Sequence, residues 1–292
     1  MNNSHYYHCA TKGLNDDLLF PSQKGFIAGM NRVATCFFKA QKSSPVLIFA
    51  FCLMDNHVHF ILYGTEENCR KFMISYKTMT EIWFKNNPDE GSGGKNWDMG
   101  FWLIPDKEAL KEKIVYVLRN PMAAAMPYLP TNYRWSSASP LFSDKSFVKT
   151  CTVELGTISI RRQRTLLCSH EQLPQNWLVY NDGIIWPGCY TECARVENLF
   201  KTAASFTYEL NKKVEVKVNE EMMDDFVSIP DNEVRKKAIA YTLSMYGKNR
   251  IADLNVRQRK DIASILKKET GTSSKQLARI VRLKHEDLKQ LI

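Results

Sequence analysis

The sequence predicts an α+β protein: an antiparallel sheet with helices on one face, followed by a mainly helical C-terminal region. Three observations predict it. Over residues 1–145, strand-like and helix-like patterns follow one another in the order β-α-β-β-α-β-α. Two of the strand-like runs are separated only by Asp55-Asn56, a link so short that they must be antiparallel neighbours. From Asp231 onward the apolar spacing is helical, with breaks at Gly247 and Gly271.

Each element has its own signature. His5-Tyr6-Tyr7-His8-Cys9-Ala10 is an aromatic-rich strand closed by a turn around Gly13 and Asn15. From Gln23 to about Ala40, Phe26, Ile27, Met30, Val33, Ala34, Phe37 and Phe38 recur at helical spacing. Val46 to Met54 is apolar on both faces and so reads as a buried strand, and His57 to Tyr63 returns beside it. Glu66 to Asn86 is a second helix, and Asp98 to Ile104 a fourth strand. Asp106 caps a third helix, which Pro121 stops because a residue before proline disfavours helical backbone. Residues 146–230 form a less regular wrapping segment, with a helix expected from Glu192 to Lys212.

The chain has 292 residues, ample to bury a core. A 44% hydrophobic fraction beside 24% charged residues excludes disorder and collagen-like repeats. The longest apolar run, Val46 to Met54, is less than half the roughly 20 residues of a membrane helix, and the N-terminus lacks a signal-peptide core. A cytoplasmic protein with reduced cysteines and no membrane partner is therefore expected. The Cys189/Cys193 pair lacks the further ligands of a structural zinc site and reads as structural.

The formal net charge is +9, and its location matters more than its size. Residues 231–292 carry 15 Lys and Arg against 7 Asp and Glu, so +8 of the excess lies there and +1 in the rest. This gives three segments: 1–145 with the candidate chemistry, 146–230 connecting, and 231–292 basic and helical. The last is the first candidate for a polyanion-binding surface.

His57-Val58-His59 carries the sharpest chemistry. Side chains alternate along a strand, so both imidazoles share one face while Val58 points to the other. Two histidines so placed can grip a divalent cation and need a third ligand from elsewhere. Tyr116 and Asn120, four apart, stack on one face of the third helix near its end. A tyrosine and a carboxamide there can serve as nucleophile and as an oxygen ligand suited to Mg²⁺ or Mn²⁺. Other tyrosines, such as Tyr76, Tyr128 and Tyr133, lack an Asn partner and read as packing residues.

Together these strings resemble the IS200-like and REP-associated single-tyrosine transposases. Leu53-Met54-Asp55-Asn56-His57-Val58-His59-Phe60-Ile61-Leu62 is similar to that family's His-hydrophobic-His (HUH) strand. Tyr116-Val117-Leu118-Arg119-Asn120-Pro121, followed by small residues, is similar to its Tyr-x-x-x-Asn-Pro helix, and Tyr133-Arg134-Trp135-Ser136-Ser137 to its Tyr-x-Trp-Ser-Ser element. The resemblance covers about residues 5–145, and Asn at position 120 is closer to the REP-associated branch. Asp55 departs from the pattern, where proline is usual, and puts a charge beside the histidines.

The resemblance implies a ferredoxin-like sheet and metal-dependent cleavage and rejoining of single-stranded, hairpin-flanked DNA. Tyr116 would be the nucleophile, forming a 5′-phosphotyrosine, with His57, His59 and Asn120 holding one Mg²⁺ or Mn²⁺. The group that accepts the tyrosine proton is not identified; metal-bound water and Lys113 are the alternatives. Two other readings stay open, a replication-initiator or relaxase-type nickase and a non-catalytic DNA-binding regulator. A monomer is favoured over a homodimer.

In the basic region, Thr272 to Leu288 resembles a helix-turn-helix, turning at Arg282 to Lys284 without glycine, although a plain helical bundle fits as well. Lys275, Arg279, Arg282, Lys284, Arg257, Arg259 and Lys260 are the candidate DNA contacts. They would reach duplex DNA if the region reads it.

Overall fold

The computed structural model describes residues 4–11, 18–90, 99–124, 126, 129–211, 231–270, 272, 274–283 and 287–288. The chain falls into two compact units: Met1–Asn120 with Pro130–Leu210, and Pro121–Leu129 with Asn211–Ile292.

The first unit is built on four strands, β1 (His5–Thr11), β2 (Leu47–Met54), β3 (His57–Gly64) and β4 (Met99–Ile104), in the order β2-β3-β1-β4. All three pairings are antiparallel, which is the ferredoxin-like β-α-β-β-α-β arrangement. Two long helices supply the expected cover on one face: α1 (Gln23–Ser43) and α2 (Glu66–Asn86). Ser22 caps α1 by accepting from the Gly25 N–H at 3.0 Å, and Thr65 caps α2 through the Asn68 N–H at 3.2 Å. Val58, Phe60 and Leu62 of β3 and Phe51 and Leu53 of β2 pack with Phe26, Met30 and Val33 of α1 and Phe72 and Tyr76 of α2. The other face of the sheet, the one bearing the histidines, receives α3 (Lys107–Leu118). Asp106 caps α3 through the Ala109 N–H at 2.8 Å. The chain then restarts as a single helical turn, α4 (Asn120–Ala123), which opens two residues beyond the end of α3 and holds Pro121 near its start.

Although β2 lies at the end of the strand order, it is almost wholly buried. Its outer rim is covered: Leu53 N–H donates to Trp135 O at 2.8 Å, Ser137 N–H to Phe51 O at 3.0 Å, and Phe51 N–H to Ser137 Oγ at 2.9 Å. Farther along, Glu192 N–H donates to Ile48 O at 2.8 Å. Tyr133, buried as a packing residue, donates its hydroxyl to Leu53 O at 2.8 Å.

The remainder of this unit comprises α5 (Lys145–Thr150), β5 (Thr152–Glu154), α6 (Ile160–Leu167), β6 (Leu178–Tyr180), α7 (Cys193–Phe200) and α8 (203–211). It belongs to the same core: Leu155, Leu167, Leu173, Val179, Ile184, Ile185 and Tyr190 join the cluster that contains Phe60. Asn31 of α1 fastens it, donating to Leu166 O (3.0 Å) and Gly183 O (2.9 Å) and accepting from Ile185 N–H (2.9 Å). The single helix expected from Glu192 to Lys212 is instead two. Lys201 takes φ 66° and its N–H returns to Glu197 O, which ends α7.

The second unit contains α9 (Asp231–Tyr246), α10 (Val256–Thr270) and α11 (Ser274–Val281) around Val234, Ala238, Ile262, Leu266, Leu277 and Ile280. Gly247 follows α9 with φ 61°, as the sequence anticipated for a break there. The Gly271 break lies outside the described residues.

Candidate active site

The chemistry-bearing side chains come from β1, β3 and α3. In β3, His57 and His59 point to one face with ring centroids 4.9 Å apart, while Val58 enters the core. The hairpin that presents them is held from outside by the Asp55 carbonyl, which accepts from the Leu19 and Phe20 N–H groups at 2.7 and 3.0 Å. Asp55 itself is buried. His57 Nδ1 lies 2.7 Å from Asn56 Oδ1, which leaves Nε2 as the nitrogen the ring can offer to a metal.

Asn120 stands just beyond the last turn of α3. Its Nδ2 donates to Tyr116 O at 3.0 Å and Val117 O at 3.3 Å, and its side chain is also hydrogen-bonded to His59. With both amide hydrogens committed to the helix, the carbonyl oxygen is the atom it offers to the imidazoles. Tyr116, one turn earlier, is 49% exposed, and its ring centroid lies 5.7 Å from that of His59. Lys113 Nζ sits 5.4 Å from the centre of the Tyr116 ring. The four residues singled out in the sequence therefore converge.

Sequence reasoning missed a fifth neighbour. His8 of β1 shares the histidine face, because Ala10 pairs with His59 and His8 with Ile61. Its Nε2 is 3.1 Å from His59 Nδ1, and its ring is 5.7 Å from that of Tyr116. Trp102 of β4, 51% exposed, stacks over His8 at 5.2 Å. Only the strand register reveals this, and register depends on pairing partners that no local pattern of β1 specifies. Burial, reinforced by His57 and His8, pulls the His59 pKa down to about 2; burial and then Lys113 pull His8 down to about 4. Both rings are neutral at pH 7, the form in which imidazole binds metals. Among the described residues, no three His, Cys, Asp or Glu form a metal-binding group. The candidate donor set is two imidazoles and one carboxamide oxygen.

The basic candidates of the second unit differ among themselves. Arg257 and Arg279 are exposed and Lys260 is half-buried. Arg259 is committed elsewhere: Nε donates to Leu254 O (2.9 Å), Nη2 to Ala252 O (2.8 Å) and Nη1 to Arg282 O (3.3 Å). Its guanidinium is a staple for backbone carbonyls, which takes three of the five donors it could offer to a phosphate. Arg282, half-buried, adopts the left-handed conformation at φ 61°, and Leu283 N–H returns to Ala278 O at 2.9 Å. This is a Schellman closure of α11 in which an arginine takes the place glycine usually fills. The Lys275 side chain and Lys284 lie outside the described residues, as do Tyr128 and most of the second helix of the expected helix-turn-helix.

No family model matches the chain, and no curated protein matches it. It is similar to a solved structure of a REP-associated tyrosine transposase bound to a REP hairpin, at 11% identity and a TM-score of 0.35, over 48% of this chain and 79% of that one. No described helix is long and apolar enough to cross a membrane.

Proposed function

We propose that this protein is a metal-dependent tyrosine strand transferase that cleaves and rejoins single-stranded DNA. The observation that carries the reading is the convergence of Tyr116 from α3, and of Asn120 just beyond its end, on the His57–His59 face of β3. His57, His59 and Asn120 fit a Mg²⁺ or Mn²⁺ ion, offering two imidazole nitrogens and an oxygen whose rotamer the helix carbonyls fix. Such an ion, when bound, supplies positive charge at the scissile phosphate.

The chain's own residues perform the rest. The Tyr116 oxygen attacks phosphorus, forming the tyrosine ester as the bond to the departing 3′ oxygen breaks. Lys113 beside the ring offsets the phenolate charge this requires. The ester conserves the energy of the phosphodiester, so a second 3′-OH can displace the tyrosine and reseal a strand without a nucleotide cofactor. Half exposure suits Tyr116 to this work, since a nucleophile must meet its strand. Trp102, exposed beside it, offers a flat surface for an unstacked base. In the second unit, Arg257, Lys260 and Arg279 supply phosphate contacts for duplex DNA, which would make that binding salt-dependent.

Incubation of the protein with hairpin-bearing single-stranded DNA and Mg²⁺ or Mn²⁺ tests the reading. A covalent protein–DNA adduct on a denaturing gel is expected, absent in Tyr116→Phe. No adduct with either metal would overturn the enzymatic reading, and an adduct surviving Tyr116→Phe would overturn the assignment of the nucleophile.

A further inference from the structure

On the side of the first unit away from the histidines, a cavity of about 320 Å³ opens between α1, α2 and the end of α6. Its wall includes Arg32, Trp83, Asn86, Arg164, Cys168 and His170, and no Asp or Glu. Arg32 is 1% exposed. Its guanidinium carbon lies over two aromatic rings, 5.2 Å from the Trp83 centroid and 6.0 Å from that of Tyr76. The Tyr76 hydroxyl donates to Gly29 O at 3.3 Å, and its oxygen is a hydrogen-bonding neighbour of Arg32. Beyond Tyr76, Nε, Nη1 and Nη2 have no hydrogen-bond partner among the described residues.

A guanidinium carries five in-plane N–H donors, and one phenol oxygen leaves most of them unsatisfied. Burying such a cation without an anion is costly, and proteins normally answer it with a carboxylate. Here none does: burial pulls the Arg32 pKa down, and the groups that act on its charge are phenol and thiol side chains, with no carboxylate among them. Nearby Glu171 is engaged by Lys42 at 2.8 Å. Arg164 and His170 add further basic groups to the wall, and Lys24, held by Asn87 Oδ1 at 2.7 Å, stands next to it. The lip is shaped by Cys168, which caps α6 in the left-handed region at φ 47°.

We propose that this cavity binds a small organic phosphate monoester, with the phosphate on Arg32 between Arg164 and His170. Several basic groups with no acid among them suit a dianion better than a single carboxylate. The volume lies in the range of small-molecule pockets and leaves room for an organic group beside the phosphate. This site is separate from the proposed DNA chemistry, which faces the opposite side of the sheet. Its monoester can belong to a free metabolite-sized phosphate or to the 5′ end of a strand.

Calorimetric titration of the full chain with ribose 5-phosphate, and with ribose as the uncharged control, tests it. The alkylation rate of Cys168, followed by mass spectrometry, gives a second readout. Saturable binding of ribose 5-phosphate, about tenfold protection of Cys168 and no effect of ribose are expected. Arg32→Met should weaken binding about 100-fold, and Arg164→Gln, at the exposed rim, about tenfold. A 5′-phosphorylated trinucleotide compared with its 5′-hydroxyl form separates the sources: protection by the phosphorylated strand without protection by ribose 5-phosphate assigns the monoester to a DNA end. If no phosphorylated probe binds or protects, the proposal is overturned. It is overturned equally if binding is unchanged in Arg164→Gln, a comparison that stands even if Arg32→Met does not fold.

Discussion

The two faces of strand β3 divide the labour of the first unit. Val58, Phe60 and Leu62 are buried against α1 and α2, with aromatic contacts such as Phe60 to Phe72 at 5.4 Å. His57 and His59, one residue out of phase, look toward α3 and meet Asn56, His8, Asn120 and the Tyr116 ring. The same backbone therefore carries stability on one side and chemistry on the other, so each side can be changed with little effect on the other.

The largest test of that division is Phe60→Ala, expected to cost about 3–5 kcal/mol in denaturant unfolding by loss of transfer energy and creation of a cavity. Asn31→Ala comes next, at about 2–4 kcal/mol, because it strips three buried hydrogen bonds and leaves the Ile185 N–H unpaired. On the chemical face, Mn²⁺ at about 100 times its dissociation constant should stabilise the wild-type protein by about 2.7 kcal/mol in thermal unfolding. His57→Ala should lose most of that gain. Tyr133→Phe, which removes the bond to Leu53 O, should cost about 1 kcal/mol. Tyr116→Phe should change stability by less than about 0.5 kcal/mol while abolishing the adduct. A Tyr116→Phe protein that unfolds readily would break the division between the faces.

Most of the frame was legible in the sequence because it rests on local signals. Helical spacing marked α1 and α2, Asp106 marked the start of α3, and Asp55-Asn56 fixed the hairpin. Alternation alone placed His57 and His59 on one face, and a four-residue interval placed Tyr116 with Asn120. Features set by distant partners were not legible. The wrapping segment is tied in by Asn31, which bonds residues 135 or more positions away. Strands β5 and β6 have three residues each, too few to show a period. His8 joins the site through register, and three backbone carbonyls claim donors of Arg259. An arginine's sequence neighbours do not say whether phosphate or backbone will satisfy its donors.

The covered rim of β2 has a consequence for assembly. A sheet edge with open N–H and C=O groups is a template on which another chain can polymerise. Residues 135–137 and Glu192 occupy that template on the β2 side with this chain's own backbone. Among the described residues, no backbone covers the opposite border in the same way, along β4, where Trp102 and Leu103 are exposed. Among those residues, backbone protection against runaway strand addition therefore lies on the β2 side.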